Sequence, residues 1–369
     1  MTLDLQRTIP DFYKGRATDN SDVKLLFDRV SESSYKSSGA GSALSTYQMM
    51  LSRIDRYGYR PVHPNKEMSG LTFITRPKLN LTTESCRQDR TLSWLATDDE
   101  GSIPYSIRCY LDTNYAKKNI AVARNAPFFA SDSPFILPLT NCLMGISGFP
   151  DTVLDTETTE PGFFAEDQTM AIGSDFGRRT YDLNLTFRDI QGGYIFALLL
   201  TWIRWMGLVC EGNVVPYLED INDRRLCYTC SIYRFVLDPS KRYIAKWGKA
   251  TGCFPVNFPS GASFNINDNE AYVQSNSSYS VTFKCNHFVP MDPIQLREFN
   301  TIVTRFAGNN FLSGRVLVPT GANGNFSGIP YIDTESGTNE LGFWAYPEEL
   351  ENPANSIIDQ IRRRLEAAG

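Results

Sequence analysis

Few residues in this sequence have a type and spacing that could do chemistry. There are two histidines, His63 and His287, and neither has a neighbour that would complete a base or a metal-ligand set. Imidazole is the commonest base and ligand near neutral pH, so its scarcity counts against most hydrolytic and metal chemistry. Cys227-Tyr228-Thr229-Cys230 has the C-x-x-C spacing, but a zinc ribbon needs a second pair and none follows. Gly145-Ile146-Ser147-Gly148 falls one residue short of a nucleophile elbow, because Phe149 stands where the last glycine belongs. Gly39-Ala40-Gly41 has Leu44 where a dinucleotide fingerprint needs its third glycine. Gly337–Gly342 has the glycine spacing of a phosphate loop, but Phe343-Trp344 follows in place of Lys-Ser/Thr.

Two acid-rich stretches remain. Residues 151–170 carry Asp151, Asp155, Glu157, Glu160, Glu166 and Asp167 with no lysine or arginine, and Glu219-Asp220 with Asp223 form the second. A glycosidase needs two carboxylates flanking a sugar, whereas acid runs are usually solvated loops. No residue is nominated as catalytic, cofactor-binding or metal-binding, and no cofactor is implied.

Composition bounds the rest. A chain of 369 residues suits two domains, or one large domain with arms. With 42% apolar and 12% aromatic residues it can bury a sizeable core, and a formal charge of -5 argues against a strongly basic nucleic-acid-binding surface. The eight cysteines are spread thinly and read as reduced, mostly buried thiols. The N-terminus, Met1-Thr2-Leu3-Asp4-Leu5, has an early acid and no long apolar run, so no signal peptide is expected. Tyr194–Cys210 is apolar, but it is short for a span and contains Arg204; a buried or interface helix is expected, and no membrane insertion.

The elements that must position these residues follow from periodicity. Val23, Leu26, Phe27 and Val30 recur at helical spacing, a Ser/Gly break follows at 37–42, and a second helical stretch lies near 47–54. From Gly70 the pattern becomes β. Leu71–Thr75 reads as a strand stopped by Pro77. Tyr181–Arg188 alternates strictly, with Tyr181, Leu183, Leu185 and Phe187 on one face, and Tyr279–Cys285 does the same. Cys227–Val236 and Ser263–Asn267 are expected as further strands. The apolar helix puts Ile195, Leu198, Leu199, Trp202, Trp205 and Met206 on one face, while Phe196, Leu200 and Ile203 widen it. Such a helix needs cover on most sides, from the sheet and from a neighbouring subunit. Asp292-Pro293 starts a helix with the stripe Leu296, Phe299, Val303 and Phe306, closed by Gly308. A terminal helix is expected near 356–365, with Ile357, Ile358, Ile361 and Leu365 on one side and Arg362-Arg363-Arg364 at its end.

From about 135 to 290 the order of parts resembles the tail-tube fold of contractile-tailed bacteriophages, shared with tube-like baseplate hub proteins and the type VI secretion tube. That family pattern opens with a strand leading into a small-apolar-Pro turn, which Ile136-Leu137-Pro138-Leu139 through Gly148-Phe149-Pro150 resembles. An extended acidic loop follows, similar to 151–170. Then come an alternating strand like Tyr181–Arg188 and a flanking helix like Ile190–Val209. Cys253-Phe254-Pro255-Val256-Asn257-Phe258-Pro259 resembles the family's aromatic-Pro turn, and Tyr279–Cys285 its closing strand. Gly70–Leu81 also resembles a segment common in structural proteins of large phages. If it supplies the opening strand, 82–135 is an insertion.

The resemblance implies an α+β fold, mainly antiparallel β: a tail-tube-like sandwich or barrel domain with a flanking apolar helix, a helical N-terminal arm and a C-terminal helix. The expected organisation is 1–60 as the arm, 61–290 as the β-domain with an insertion at about 82–135, and 291–369 as a helix, a loop-rich extension and a terminal helix. It implies a non-enzymatic virion protein of a phage tail that forms or initiates the tube as a baseplate ring. Its partners would be further copies of itself in a hexameric ring, together with other tube, baseplate, sheath or tape-measure proteins. DNA would pass without specific binding. The alternatives are the major tube subunit or a neck ring and, from other classes, a glycan-acting enzyme using the acids of 151–170 or 219–223, or an adhesion module drawing on tryptophans and tyrosines.

Overall fold

The computed structural model describes residues 69–345, apart from 98, 119–125, 127, 132, 176–178, 191, 239, 265–277, 308–314, 320–327 and 335–337. The chain divides into two units, Met1–Lys66 and Glu67–Gly369, and the described residues belong to the second. The expected helices near 21–31, 47–54 and 356–365, His63, the glycines at 39–41, Gly308 and Gly337 lie outside them.

Strand β1 (Ser69–Ile74) enters the sheet and is followed by three short helices, α1 (Thr83–Gln88), α2 (Ile103–Leu111) and α3 (Thr113–Lys118). The first two start at hydroxyl caps: Thr82 Oγ1 accepts the Ser85 N–H and Ser102 Oγ accepts the Tyr105 N–H, both at 3.4 Å. Helix α4 (Leu137–Asn141) leads into β2 (Leu143–Ser147). Strands β3 (Val153–Thr158) and β4 (Thr169–Asp175) form a separate two-stranded ribbon, and β5 (Tyr181–Arg188) returns to the sheet. Then follow α5 (Tyr194–Glu211), α6 (Leu218–Asn222), β6 (Cys230–Leu237), β7 (Ile244–Asn257), β8 (Ser278–Cys285), β9 (His287–Pro290) and α7 (Pro293–Ala307). Strands β10 (Val316–Pro319), β11 (Ile329–Asp333) and β12 (Glu340–Ala345) make a small sheet.

The main sheet has the order β1-β6-β7-β8-β5-β2, with β9 pairing to β7. Every named strand pairing among the described residues is antiparallel. The fold is therefore α+β, mainly antiparallel, with a flanking helix. The two alternating strands recognised in the sequence are neighbours: β5 and β8 pair along their full length, from Tyr181↔Cys285 to Arg188↔Ser278. Their apolar sets, Leu183, Leu185 and Phe187 with Tyr279, Val281, Phe283 and Cys285, are buried in one core.

Helix α5 covers that core. Ile195, Leu198, Leu199, Trp202 and Trp205 are fully buried, as the spacing predicts, while Met206, Phe196, Leu200 and Ile203 are partly covered. The Asp189 carboxylate fixes the start of the helix, accepting the N–H groups of Ile190 at 2.8 Å and Ile195 at 3.1 Å. Both indoles keep their polar atom satisfied: Trp202 Nε1 donates to Tyr228 O at 3.0 Å, and Trp205 Nε1 to Asn80 O at 3.1 Å. By length and mean hydropathy, 1.4, this helix could cross a membrane, but one face is packed into the protein core.

A second core lies on the opposite face of β1, β6 and β7, under α7 and the small sheet. Phe299 of α7 sits at its centre, with ring centroids 5.1–5.3 Å from Phe73, Phe135, Tyr233 and Phe235. Leu296 and Val303 of the predicted stripe are buried beside it, and the Asp292 carboxylate caps α7 by accepting the Ile294 N–H at 2.9 Å.

Several expected elements take another form. The strand expected from Cys227 begins at Cys230; Cys227 and Tyr228 occupy a turn in which the Thr229 N–H meets Leu226 O. Ser260–Phe264 is a 3-10 turn where a strand was expected from Ser263. Cys253–Asn257, expected as an aromatic-Pro turn, is the end of the long strand β7. Pro255 is accommodated there because the register to β8 shifts between Pro255 and Asn257, and such irregularities free a residue from donating to the ladder. Leu137–Asn141, expected as part of a strand leading into a turn, is a helical turn with Pro138 in its first turn, where the missing N–H costs no intrahelical bond.

Candidate functional site

Since the apolar side chains of β5 and β8 lie under α5, the alternating pattern sends their polar partners to the other side. Asp182, Asn184, Thr186 and Arg188 stand directly across from Lys284, Thr282, Ser280 and Ser278. This part of the sheet is open: Asp182, Asn184, Arg188, Ser278 and Ser280 are exposed, and Thr186, Thr282 and Lys284 are partly so. The side chains satisfy one another across the strands. Lys284 Nζ meets Asp182 Oδ1 at 2.8 Å, and Thr282 Oγ1 donates to Asn184 Oδ1 at 3.0 Å. One acid, two bases and five neutral side chains make a hydrophilic surface with little net field. The same sheet is thus covered on both faces at its β1–β6–β7 end and on one face at its β8–β5–β2 end.

The acid-rich stretch 151–170 projects from that end, between β2 and β5. Expected as an extended loop, it is a ribbon in which β3 pairs with β4 from Val153↔Asp175 to Thr158↔Thr169, with a bulge after Asp155. Asp155 and Glu157 are exposed on one strand of it, and Glu160, Glu166 and Asp167 surround its tip. The tip is built by hydrogen bonds: Gly162 N–H to Glu166 O at 2.8 Å, Phe164 N–H to Glu166 Oε2 at 2.8 Å, and Gln168 N–H to Thr159 Oγ1 at 3.0 Å. It presents two aromatic rings to solvent, Phe163 at 95% exposure and Phe164 at 85%, packed edge to face on each other. Val153, Leu154, Met170 and Ile172 are exposed along its length. A two-stranded ribbon with apolar side chains facing water is marginal on its own.

The second acid-rich stretch is pinned to the body of the protein. Asp220 is buried and binds Lys78 Nζ at 3.0 Å, Glu219 lies 3.5 Å from the same ammonium, and Asp223 pairs with Arg225. The C-x-x-C cysteines are split between a turn and a strand, and no group of three metal-ligating side chains converges among the described residues. Gly148 closes β2 with φ +100°; a Cβ there would lie 2.3 Å from the Asp182 carbonyl, so close backbone approach explains this glycine. His287 opens β9.

Sequence reasoning missed a set of buried charges in 76–112. Arg108 is fully buried and donates to Leu81 O and Thr83 Oγ1, with Tyr115 stacked on its guanidinium at 3.8 Å. Asp112, also fully buried, accepts from the Leu81, Asn114 and Tyr115 N–H groups and from the Tyr217 hydroxyl. Burial pushes its carboxyl above the ordinary aspartate range, against the pull of those four donors. Arg76 lies against Tyr110, Phe129 and Phe306 and donates to Ala130 O. The exposed Phe163-Phe164 doublet was also missed; its signal was an aromatic pair directly after Pro161-Gly162.

Solved structures similar to this protein include the tube-terminating cap of the anti-feeding prophage, with 14% identity and a TM-score of 0.26, covering 40% of this chain and 79% of that one. The sheath/tube terminator of the extracellular contractile injection system PVC is similar at 10% identity and a TM-score of 0.24, covering 41% and 85%. Hcp1 of Flavobacterium johnsoniae is similar at 9% identity and a TM-score of 0.20, covering 40% and 85%. No curated protein sequence matches. Residues 16–352 match the family described as "Putative phage tail tube protein", and the chain belongs to that family of tail structural proteins.

Proposed function

We propose that this protein forms or initiates the tail tube of a phage as a baseplate ring, assembling through copies of itself around a channel for DNA. The observation that carries this reading is the half-open sheet. Strands β5 and β8 bury one face under α5 and leave the other hydrophilic and nearly neutral. Sheets joined edge to edge in a ring would remove exposed strand edges, as barrel closure does. In such a ring the open face would line the lumen, where a weak field suits a polyanion that must slide without sticking. The acids of the β3–β4 ribbon would add repulsion at the channel or its mouth.

Two features support a specialised ring over the plain, many-copy tube subunit: the helices between β1 and β2, and the module of α7 with β10–β12. A ring of this kind would meet tube, baseplate, sheath or tape-measure proteins on its other surfaces, and the chain acts by assembly without turnover.

Negative-stain electron microscopy of the purified protein across a concentration series tests the reading. Rings with a central hole are expected, and stacking without limit would favour the major tube subunit over an initiator. A strict monomer at all concentrations, also unable to join partner tail proteins, would refute it. Reversing Asp155, Glu157 and Glu160 to lysine tests the acidic ribbon separately. Slower DNA ejection is expected, and unchanged kinetics would remove it from the channel.

A further inference from the structure

Three buried thiols stand in one row across three neighbouring strands. Cys230 of β6 is the Cα partner of Cys253 of β7. On its other side, Cys253 is bracketed by Phe254↔Lys284 and Thr251↔His287, which keep one register and set Cys253 opposite Cys285 of β8. Cys230 is 4% exposed, and Cys253 and Cys285 are fully buried in the core under α5. Directly opposed residues in an antiparallel ladder have Cα atoms about 4.5–5.5 Å apart, inside the roughly 4.4–6.8 Å that a disulfide spans.

We propose that Cys253 and Cys285 are a modification site, a thiol pair placed to close a cross-strand disulfide between β7 and β8. Cys285 is the partner for two reasons. The register between β6 and β7 shifts directly after Cys230, whereas the Cys253–Cys285 position lies between matched pairs on both sides. The Cys285 thiol is also the neighbour that acts most strongly on Cys253; together with burial it holds the Cys253 thiol far above the ordinary cysteine range. The closed fold therefore holds the Cys253 sulfur protonated, which matches a stable thiol in a reducing cytoplasm. Oxidation needs transient opening of the β8 end and a disulfide oxidant of low molecular weight. One thiolate attacks the oxidant, forming a mixed disulfide and releasing one thiol. The second cysteine then displaces the other thiol, so two protein S–H bonds become one S–S bond and the oxidant's S–S becomes two S–H. Only one bridge can form in the row, which leaves Cys230 as a free thiol.

The experiment treats the folded full chain with oxidised glutathione, alkylates the remaining thiols in denaturant, and maps the non-reduced digest by mass spectrometry. A Cys253–Cys285 linked peptide is expected, with two of the eight thiols lost to the link and a third to glutathione at Cys210, and with a rise in the unfolding midpoint that reductant reverses. The Cys230→Ser variant should form the same link, and Cys285→Ser should lose it. Glutathionylation of the exposed Cys210 shows that the oxidant is active. Modified Cys210 with no linked peptide overturns the proposal. So does a dominant Cys230–Cys253 link, or a link formed only when the chain is oxidised in urea.

Discussion

Lys78 Nζ lies 3.0 Å from Asp220 Oδ1 and 3.5 Å from Glu219 Oε2, with Asp220 only 3% exposed. This contact ties the segment after β1 to α6, and it accounts for the acids at 219–220 as anchors. Burial pulls the Lys78 ammonium down, but the hydrogen bond and charge of Asp220, helped by Glu219, outweigh it, so its pKa lies above the ordinary lysine value. A raised folded pKa gives stability that is complete below the unfolded value of about 10.4 and is lost as pH rises through the folded value. Lys78→Met should cost about 1.5–3 kcal/mol at pH 8, the scale of a hydrogen bond to a charged group. Urea midpoints between pH 8 and 11.5 check this: the wild type should lose its advantage over the variant only in the alkaline limb.

The Tyr217 hydroxyl donates to Asp112 Oδ2 at 2.7 Å, and the same oxygen accepts the Leu81 N–H at 2.9 Å. Tyr217→Phe removes one donor from a fully buried carboxylate and should cost about 1.5–3 kcal/mol. Asp112→Asn should cost more, because its amide N–H₂ would face donors. The double variant should lose less than the sum, since both changes act on one network. Equilibrium unfolding of the three variants gives the coupling directly, and full additivity would contradict a shared network.

What could be read from the sequence was whatever repeats with a period. The strict alternation of Tyr181–Arg188 and Tyr279–Cys285 marked both strands and their faces, and the stripes of α5 and α7 named most of the apolar residues that these two helices bury. What failed was context. Cys253–Asn257 contains Pro255 and looks like a turn, yet a bulge lets it extend β7. Arg108 and Asp112 look like surface charges by type, and only the surrounding carbonyls and N–H groups show why they are buried. The ribbon at 153–175 is rich in threonine and acid with weak alternation, so its pairing could not be told from a loop. The open polar face was visible as a pattern, but the half-covered sheet appears only when α7 and the small sheet are placed over β1, β6 and β7.

The two faces of β5 should respond very differently to truncation. Leu185 is fully buried beneath α5, whereas the neighbouring Asn184 points to the open side and holds only the Thr282 hydroxyl. Leu185→Ala should cost about 2–5 kcal/mol, through lost burial and the cavity left behind. Asn184→Ala should stay within about 0.5 kcal/mol. Chemical denaturation separates these easily, and comparable losses at both positions would mean that the open face is covered in the isolated chain.

Two glycines should shift stability in opposite directions when replaced by alanine. At Gly148 the backbone sits at φ +100° and a Cβ would lie 2.3 Å from the Asp182 carbonyl oxygen, which belongs to the adjoining strand and cannot swing aside. Gly148→Ala should therefore cost more than about 1 kcal/mol, since strain and a backbone clash act together. Gly207 lies inside α5 on its exposed side, and a Cβ there would meet nothing within 4 Å. Gly207→Ala should add about 0.5–1 kcal/mol by restricting the unfolded chain and favouring helix. The pair is also a test of assembly. If the outward side of α5 seats a neighbouring subunit at Gly207, the alanine variant would be more stable as a monomer yet form fewer rings under the same conditions. Melting curves at low concentration and particle counts by electron microscopy at high concentration would separate the two effects. A gain in stability with unchanged ring formation would place the contact between copies elsewhere on the protein.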